Sequence, residues 1–137
     1  MLAMPSTPDP SPSPPVRLLV VEDDADLLNL YNCALPRTGQ EVTVAANGRE
    51  GLDLYQQALL AGSPFDLVIL DFTMPDMDGQ ACARGLRSLH PQARVLLVSG
   101  TPQLPSGLGE LVSDMLAKPF RLTELFRRVD NLLADRA

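Results

Sequence analysis

A chain of 137 residues, 45% of them hydrophobic, has the size of one compact domain and enough apolar surface to fold without disulfide or metal staples. Its 11 Lys and Arg against 17 Asp and Glu leave a formal net charge of −6, which repels a polyanion and argues against direct binding of nucleic acid. Cys33 and Cys82 are too few and too far apart for a disulfide framework or a zinc site, and no apolar run approaches the roughly 20 residues of a membrane span, so a reduced, cytoplasmic protein without membrane insertion is expected.

Six of the 13 prolines fall between Pro5 and Pro15, in a stretch of Pro, Ser, Thr and Asp with little to bury. Residues 1–15 are therefore expected to be a disordered tail, and residues 16–134 the domain. Val16, Leu18, Leu19, Val20 and Val21 form a near-continuous apolar run, the mark of a strand buried on both faces of a parallel sheet. Similar runs recur at Val42 to Ala45, Leu67 to Leu70, Val95 to Val98 and, more weakly, Met115 to Ala117.

Helical patterns lie between and after them: Leu27, Leu28, Tyr31, Ala34 and Leu35, then Leu52, Tyr55 and Leu59, then Cys82, Leu86 and Leu89. The clearest helix is the last, with Leu122, Leu125, Phe126, Val129, Leu132 and Leu133 at three- and four-residue spacing. Pro102, Pro105, Gly107 and Gly109 allow only a short helix around Leu108 to Val112. Alternating strands and helices predict right-handed crossovers and an α/β, doubly wound, five-stranded parallel sheet. The active crevice of such a sheet lies at the carboxyl ends of its strands.

At those ends stand Glu22, Asp23 and Asp24 after the first strand, Asp71 after the third, Ser99 after the fourth and Lys118 after the fifth. Carboxylates from separate segments make an oxygen-rich site suited to Mg²⁺, and a hydroxyl and an ammonium beside them complete a phosphate pocket. The acidic triplet also suits a helix N-terminus, with Asp24 as its cap, and an Asp after a strand often only starts a turn.

The run from Asp71 through Pro75 to Gly79 resembles the phosphorylation loop of response-regulator receiver domains, the CheY-like proteins of two-component signalling. Glu22-Asp23-Asp24 resembles their acidic pocket and Lys118-Pro119-Phe120 their Lys-Pro-Phe segment, so the resemblance spans Val16 to the last helix. It implies the flavodoxin-like (βα)5 fold with strand order 2-1-3-4-5. Asp71 would be the phosphoacceptor; Asp23 would bind Mg²⁺, or Mn²⁺ in its place, directly, Glu22 would bind it through water, and the backbone carbonyl of Thr73 would be the third protein ligand. Lys118 would pair with Asp71 and then with the phosphoryl group, across an often cis Lys118–Pro119 bond, and the Ser99 hydroxyl would move to a phosphoryl oxygen.

The implied partners are a histidine kinase or His-phosphotransfer protein and a downstream protein target. The implied protein is a signalling switch that assists its own phosphorylation and dephosphorylation and is otherwise no enzyme. No output domain is expected in this chain, which could be a stand-alone switch or a receiver module cut from a hybrid sensor histidine kinase.

Two features depart from the family pattern. Met115 stands at the switch-aromatic position, where these domains usually carry Tyr or Phe, and the segment between Ser99 and Lys118 is short and rich in Pro and Gly. His90, the single histidine, precedes Pro91 at a helix end and is expected to be exposed, so the phosphodonor must come from outside the chain. Rival readings fit less well. A haloacid-dehalogenase-type phosphatase wants an Asp where Thr73 stands, a flavin-binding flavodoxin-like protein wants a Gly- or Ser/Thr-rich loop where the acidic triplet stands, and an EF-hand would place its first and twelfth ligands on Met74 and Gly85.

Overall fold

The computed structural model describes residues 15–36, 40–72, 79–100 and 107–134; the expected tail, the Thr73 position and Pro102 and Pro105 lie outside them, apart from Pro15. Strands β1 (Val16–Val21), β2 (Gln40–Ala45), β3 (Leu67–Asp71), β4 (Val95–Ser99) and β5 (Asp114–Ala117) alternate with helices α1 (Ala25–Ala34), α2 (Gly48–Leu60), α3 (Gly79–Leu89), α4 (Leu108–Leu111) and α5 (Leu122–Leu133). All strand pairs are parallel, in the order β2-β1-β3-β4-β5. This is the topology that the family resemblance implies.

Side-chain alternation along the strands divides the apolar residues between two layers. Leu19, Val21, Val68, Leu70, Val95 and Leu97 face the layer containing Tyr55, Cys82, Leu86 and Leu108 of α2, α3 and α4. Leu18, Val20, Leu67, Ile69, Leu96, Val98 and Leu116 face the layer containing Tyr31, Leu35, Leu125 and Val129, beside α1 and α5. Every residue of β3 and β4 is buried. At roughly 1.5–3 kcal/mol for each large aliphatic side chain removed from water, these central strands are the rigid middle of the molecule.

Local chemistry sets the helix starts. The Asp24 carboxylate caps α1 by accepting from the amides of Asp26 and Leu27, as expected of it. Asn47 caps α2 by accepting from the Glu50 amide at 2.8 Å, while the Glu50 side chain reaches back to the Ala46 amide at 2.7 Å.

Three readings need correction. Leu89 and Leu122 are exposed despite their places in the periodic patterns, because each is a terminal residue of its helix, where the layer ends. His90 is half-buried, not exposed: its Nδ1 lies 2.8 Å from the Tyr55 hydroxyl, which spends the ring's polarity inside the structure. Of the two free cysteines, Cys82 is buried and Cys33 is exposed on α1.

Candidate functional site

The parallel register brings the strand ends level with one another. Val21 pairs with Leu70 and Asp71 with Val98, so Glu22, Asp71, Ser99 and Lys118 stand on neighbouring strand exits across β1, β3, β4 and β5. The chain runs from β1 outward to β2 on one side and continues from β3 to β5 on the other. Glu22 and Asp71 therefore flank the point where the strand order reverses, as crevice residues of such sheets do.

Glu22 and Asp71 are each only 2% exposed, and Lys118 reaches both: its Nζ lies 2.6 Å from Asp71 Oδ2 and 3.8 Å from Glu22 Oε1. Gly100 lies alongside the Lys118 stem, where a Cβ would sit at an ordinary contact distance of 4.0 Å. The Asp24 amide donates to Glu22 Oε2 at 3.1 Å, whereas Oε1, also buried, accepts no hydrogen bond. Burial first, then the hydrogen-bonding contact with Asp71, pushes the Glu22 carboxyl up to about 8. For Lys118, burial works against the charge, but the Asp71 contact and the carboxylates of Asp71, Glu22 and Asp24 outweigh it and hold the ammonium above its usual range. Ser99 is buried at the end of β4, and the Lys118 amide donates to its carbonyl at 2.9 Å.

Asp23 is exposed at the mouth beside the buried Glu22, so the structure brings Glu22, Asp71 and Lys118 into contact and leaves Asp23 at the rim. Thr73 lies outside the described residues. Among those described, no set of three or more His, Cys, Asp and Glu side chains is arranged to hold a metal ion. Mg²⁺ does not require one, because it takes one or two carboxylates and completes its octahedron with waters and carbonyls. The charges fit a cation: two buried carboxylates face a single ammonium, and one carboxylate oxygen has no donor.

Three features of the site had little signal in the sequence. Phe72 and Gly79 clasp the two ends of the loop after β3: the Gly79 amide donates to the Phe72 carbonyl at 3.3 Å, and a Cβ on Gly79 would come within 2.9 Å of the Phe72 Cα. The Pro-to-Gly loop pattern pointed to this glycine without revealing its contact. A pocket of about 480 Å³, lined by Leu27, Leu30, Gly100, Lys118, Pro119 and Phe120, opens beside the ammonium, next to a Lys118–Pro119 peptide bond that is cis as the family resemblance implied. A larger cavity of about 900 Å³ lies at the amino-terminal end of the sheet, around Arg17, Glu41 and Phe65, away from these carboxylates. Met115 is 44% exposed and turned away from the pocket side of β5, so it does not take the inward place of an aromatic switch residue.

The profile of the response regulator receiver domain matches residues 18–130. The chain belongs to this family. Response regulator MprA of Mycolicibacterium vanbaalenii is 37% identical over 122 residues, which cover 87% of this chain and 51% of that regulator. The receiver chain thus spans about half the length of the first curated relatives it matches. Among solved structures, response regulator protein TrrA of Thermotoga maritima, in complex with Mg²⁺ and beryllofluoride, is 30% identical with a TM-score of 0.73, covering 85% of this chain and 98% of that one. The CheX–CheY complex of Borrelia burgdorferi with beryllofluoride and Mg²⁺ contributes a match at 26% identity and a TM-score of 0.77, covering 87% of this chain and 90% of the other. This chain is accordingly a receiver domain of two-component signalling with the CheY-like fold, in a family where phosphorylation and Mg²⁺ are general features. No helix among its described residues is long and apolar enough to cross a membrane.

Proposed function

We propose that this receiver domain acts in the cytoplasm and accepts a phosphoryl group on Asp71 from the phosphohistidine of a histidine kinase or His-phosphotransfer protein. The observation that carries the reading is the Lys118 Nζ–Asp71 Oδ2 contact of 2.6 Å in a buried carboxylate pair at the strand-order reversal. An Asp71 oxygen attacks phosphorus as the nitrogen–phosphorus bond breaks, and the leaving imidazole keeps the electron pair and takes a proton. Little covalent help is needed in such a transfer; positioning and charge neutralisation suffice. Lys118 holds the nucleophile and then follows the charge onto the phosphoryl oxygens, while the Ser99 hydroxyl donates to another of them.

Asp23 and Asp71 would hold Mg²⁺, with Mn²⁺ as a substitute, Glu22 would act through water and the Thr73 carbonyl would complete the protein ligands. When bound, the metal neutralises phosphoryl charge during transfer. Residues 1–15 are proposed to stand outside a domain of residues 16–134, supported by a family match confined to 18–130. Phosphorylation would then change binding to a downstream protein, as would the hydrolysis of the acyl phosphate that reverses it.

Acetyl phosphate with Mg²⁺ tests the reading without knowledge of the kinase. Intact mass is expected to rise by one phosphoryl group, and both Asp71→Asn and chelation are expected to abolish the gain. Equal labelling of Asp71→Asn would move the acceptor elsewhere.

A further inference from the structure

Tyr31 is the largest fully buried side chain between the sheet and helices α1 and α5, at 1% exposure. It belongs to the same buried cluster as Leu18, Val20, Ile69 and Val98, and its ring stacks on Phe120 with centroids 6.3 Å apart. A phenylalanine would serve that packing equally. The phenolic oxygen, by contrast, is buried with no hydrogen-bond partner. Strand alternation continues the same layer to the carboxyl edge: Leu18 and Val20 are followed on their face by Glu22, and Leu67 and Ile69 by Asp71. Two other buried side-chain oxygens lack a hydrogen bond among the described residues: Gln40 Oε1, at the start of β2 and so at the opposite end of the sheet, and Glu22 Oε1, at the carboxyl edge, where Lys118 Nζ at 3.8 Å is an ion-pair contact longer than a hydrogen bond. A hydroxyl and a carboxylate oxygen that both lack a hydrogen bond therefore share the end of this layer next to the pocket. Burial, then the charges of Glu22 and Asp71, hold the Tyr31 phenol above its usual range, so it keeps its proton and remains a donor.

We propose that Tyr31 is a positioning residue of the acidic pocket, its phenolic O–H reaching the Glu22 carboxylate across one buried water and thereby orienting Glu22 toward the cation. The inference rests on the reading of Glu22, Asp23 and Asp71 as the Mg²⁺ pocket. Hydrogen bonds one step removed from a metal fix the ligating groups behind it, and their loss typically costs 10–100-fold in metal affinity or activity.

The composition supplies a direct probe, since the chain has two tyrosines and no tryptophan. Tyr55→Phe leaves Tyr31 as the single tyrosine emitter. Titration of that variant with MgCl₂ is expected to change its emission saturably, with a midpoint displaced when Asp23→Asn is added. Tyr31→Phe, with Tyr55 retained, is expected to bind Mg²⁺ roughly 10-fold more weakly by calorimetry. Its metal-free melting temperature is expected to stay near that of the wild-type chain, because phenylalanine keeps the packing of the ring. Acetyl phosphate labelling of the wild-type chain separates the two ideas. Failure to label it overturns the phosphoacceptor reading. Normal labelling, together with flat Tyr31 emission through saturating Mg²⁺ or unchanged Mg²⁺ affinity in Tyr31→Phe, overturns the role of Tyr31 alone. An affinity loss that merely parallels a drop in melting temperature overturns it as well.

Discussion

The pocket at the strand ends and the α4 flank beside it are built on opposite principles. At the first, Glu22 and Asp71 leave fully buried strand ends, and their positions follow from sheet register. At the second, α4 has four residues, begins after Gly107 at a positive φ of 88° and has no side-chain cap. Its far end is tied down by Arg87, whose guanidinium donates to the Leu111 carbonyl at 2.9 Å and to the Pro91 carbonyl at 2.8 Å. Farther along, Arg128 donates to Asp114 and to the Met115 carbonyl, bracing β5 from α5. Chemistry that depends on tenths of an ångström is housed in the rigid half, and the short helix in the other half has few bonds of its own to lose.

The sharpest way to break this comparison is to remove charges from the rigid half. Lys118→Ala is expected to slow phosphorylation on the order of 100-fold, as losing a pre-placed charge in such sites does, while leaving Mg²⁺ binding in place. Asp23→Asn is expected to weaken Mg²⁺ binding itself, because the role proposed for its exposed rim carboxylate is to contact the cation and not the ammonium. Metal titration and acetyl phosphate labelling of both variants check the division of labour, and equal loss of Mg²⁺ affinity in the two would end it.

A smaller effect concerns stability without metal. The folded-state Glu22 carboxyl is raised from 4.5 to about 8, so between those values the native state binds a proton that the unfolded chain has released. Unfolding free energy must then fall as pH rises through that window, by an amount on the order of a few kcal/mol from this group. Urea midpoints measured in chelator from pH 5 to pH 8 are expected to decline, and Glu22→Gln is expected to flatten the decline. A wild-type midpoint that rises across the window would contradict the burial account of Glu22.

The contrast also explains what was legible in the sequence. The runs at Val16–Val21, Leu67–Leu70 and Val95–Val98 read as strands because residues buried on both faces leave an unbroken apolar signal. Once those strands are recognised, Glu22, Asp71 and Ser99 are marked by being the first polar residues past each one, and Lys118 holds the same place past the weaker run of β5. Periodicity is weaker at helix ends, where it assigns a face but not a neighbour: Leu89 and Leu122 sit on the right stripe beyond the edge of the layer, and His90 found Tyr55 through a contact 35 positions away. The Phe72–Gly79 clasp and the Tyr31 hydroxyl are three-dimensional coincidences of the same kind. Met115 was legible as an odd residue for its place, and its outward direction follows from the strand alternation that buries Leu116.

The smallest expected effect sharpens the comparison on the flexible side. A phosphoryl group changes the protein's conformation only to the extent that it binds two states differently. Bonds to Ser99 and Lys118 would provide that difference at the head of the β4–α4 segment, and a four-residue helix without a side-chain cap opposes movement with little free energy. Beryllofluoride with Mg²⁺ is therefore expected to alter amide exchange most in Ser99 to Val112, up to the point where Arg87 holds Leu111. Effects at Met115 should be weaker, because its side chain is exposed and its carbonyl is held by Arg128. Arg87→Ala should carry the exchange change past Val112 toward β5, and Met115→Tyr should keep phosphorylation while altering only how far the change spreads. If Ser99 to Val112 exchange unchanged while α1 responds, the short helix is not the responsive element, and the division between a rigid chemical half and a yielding half fails.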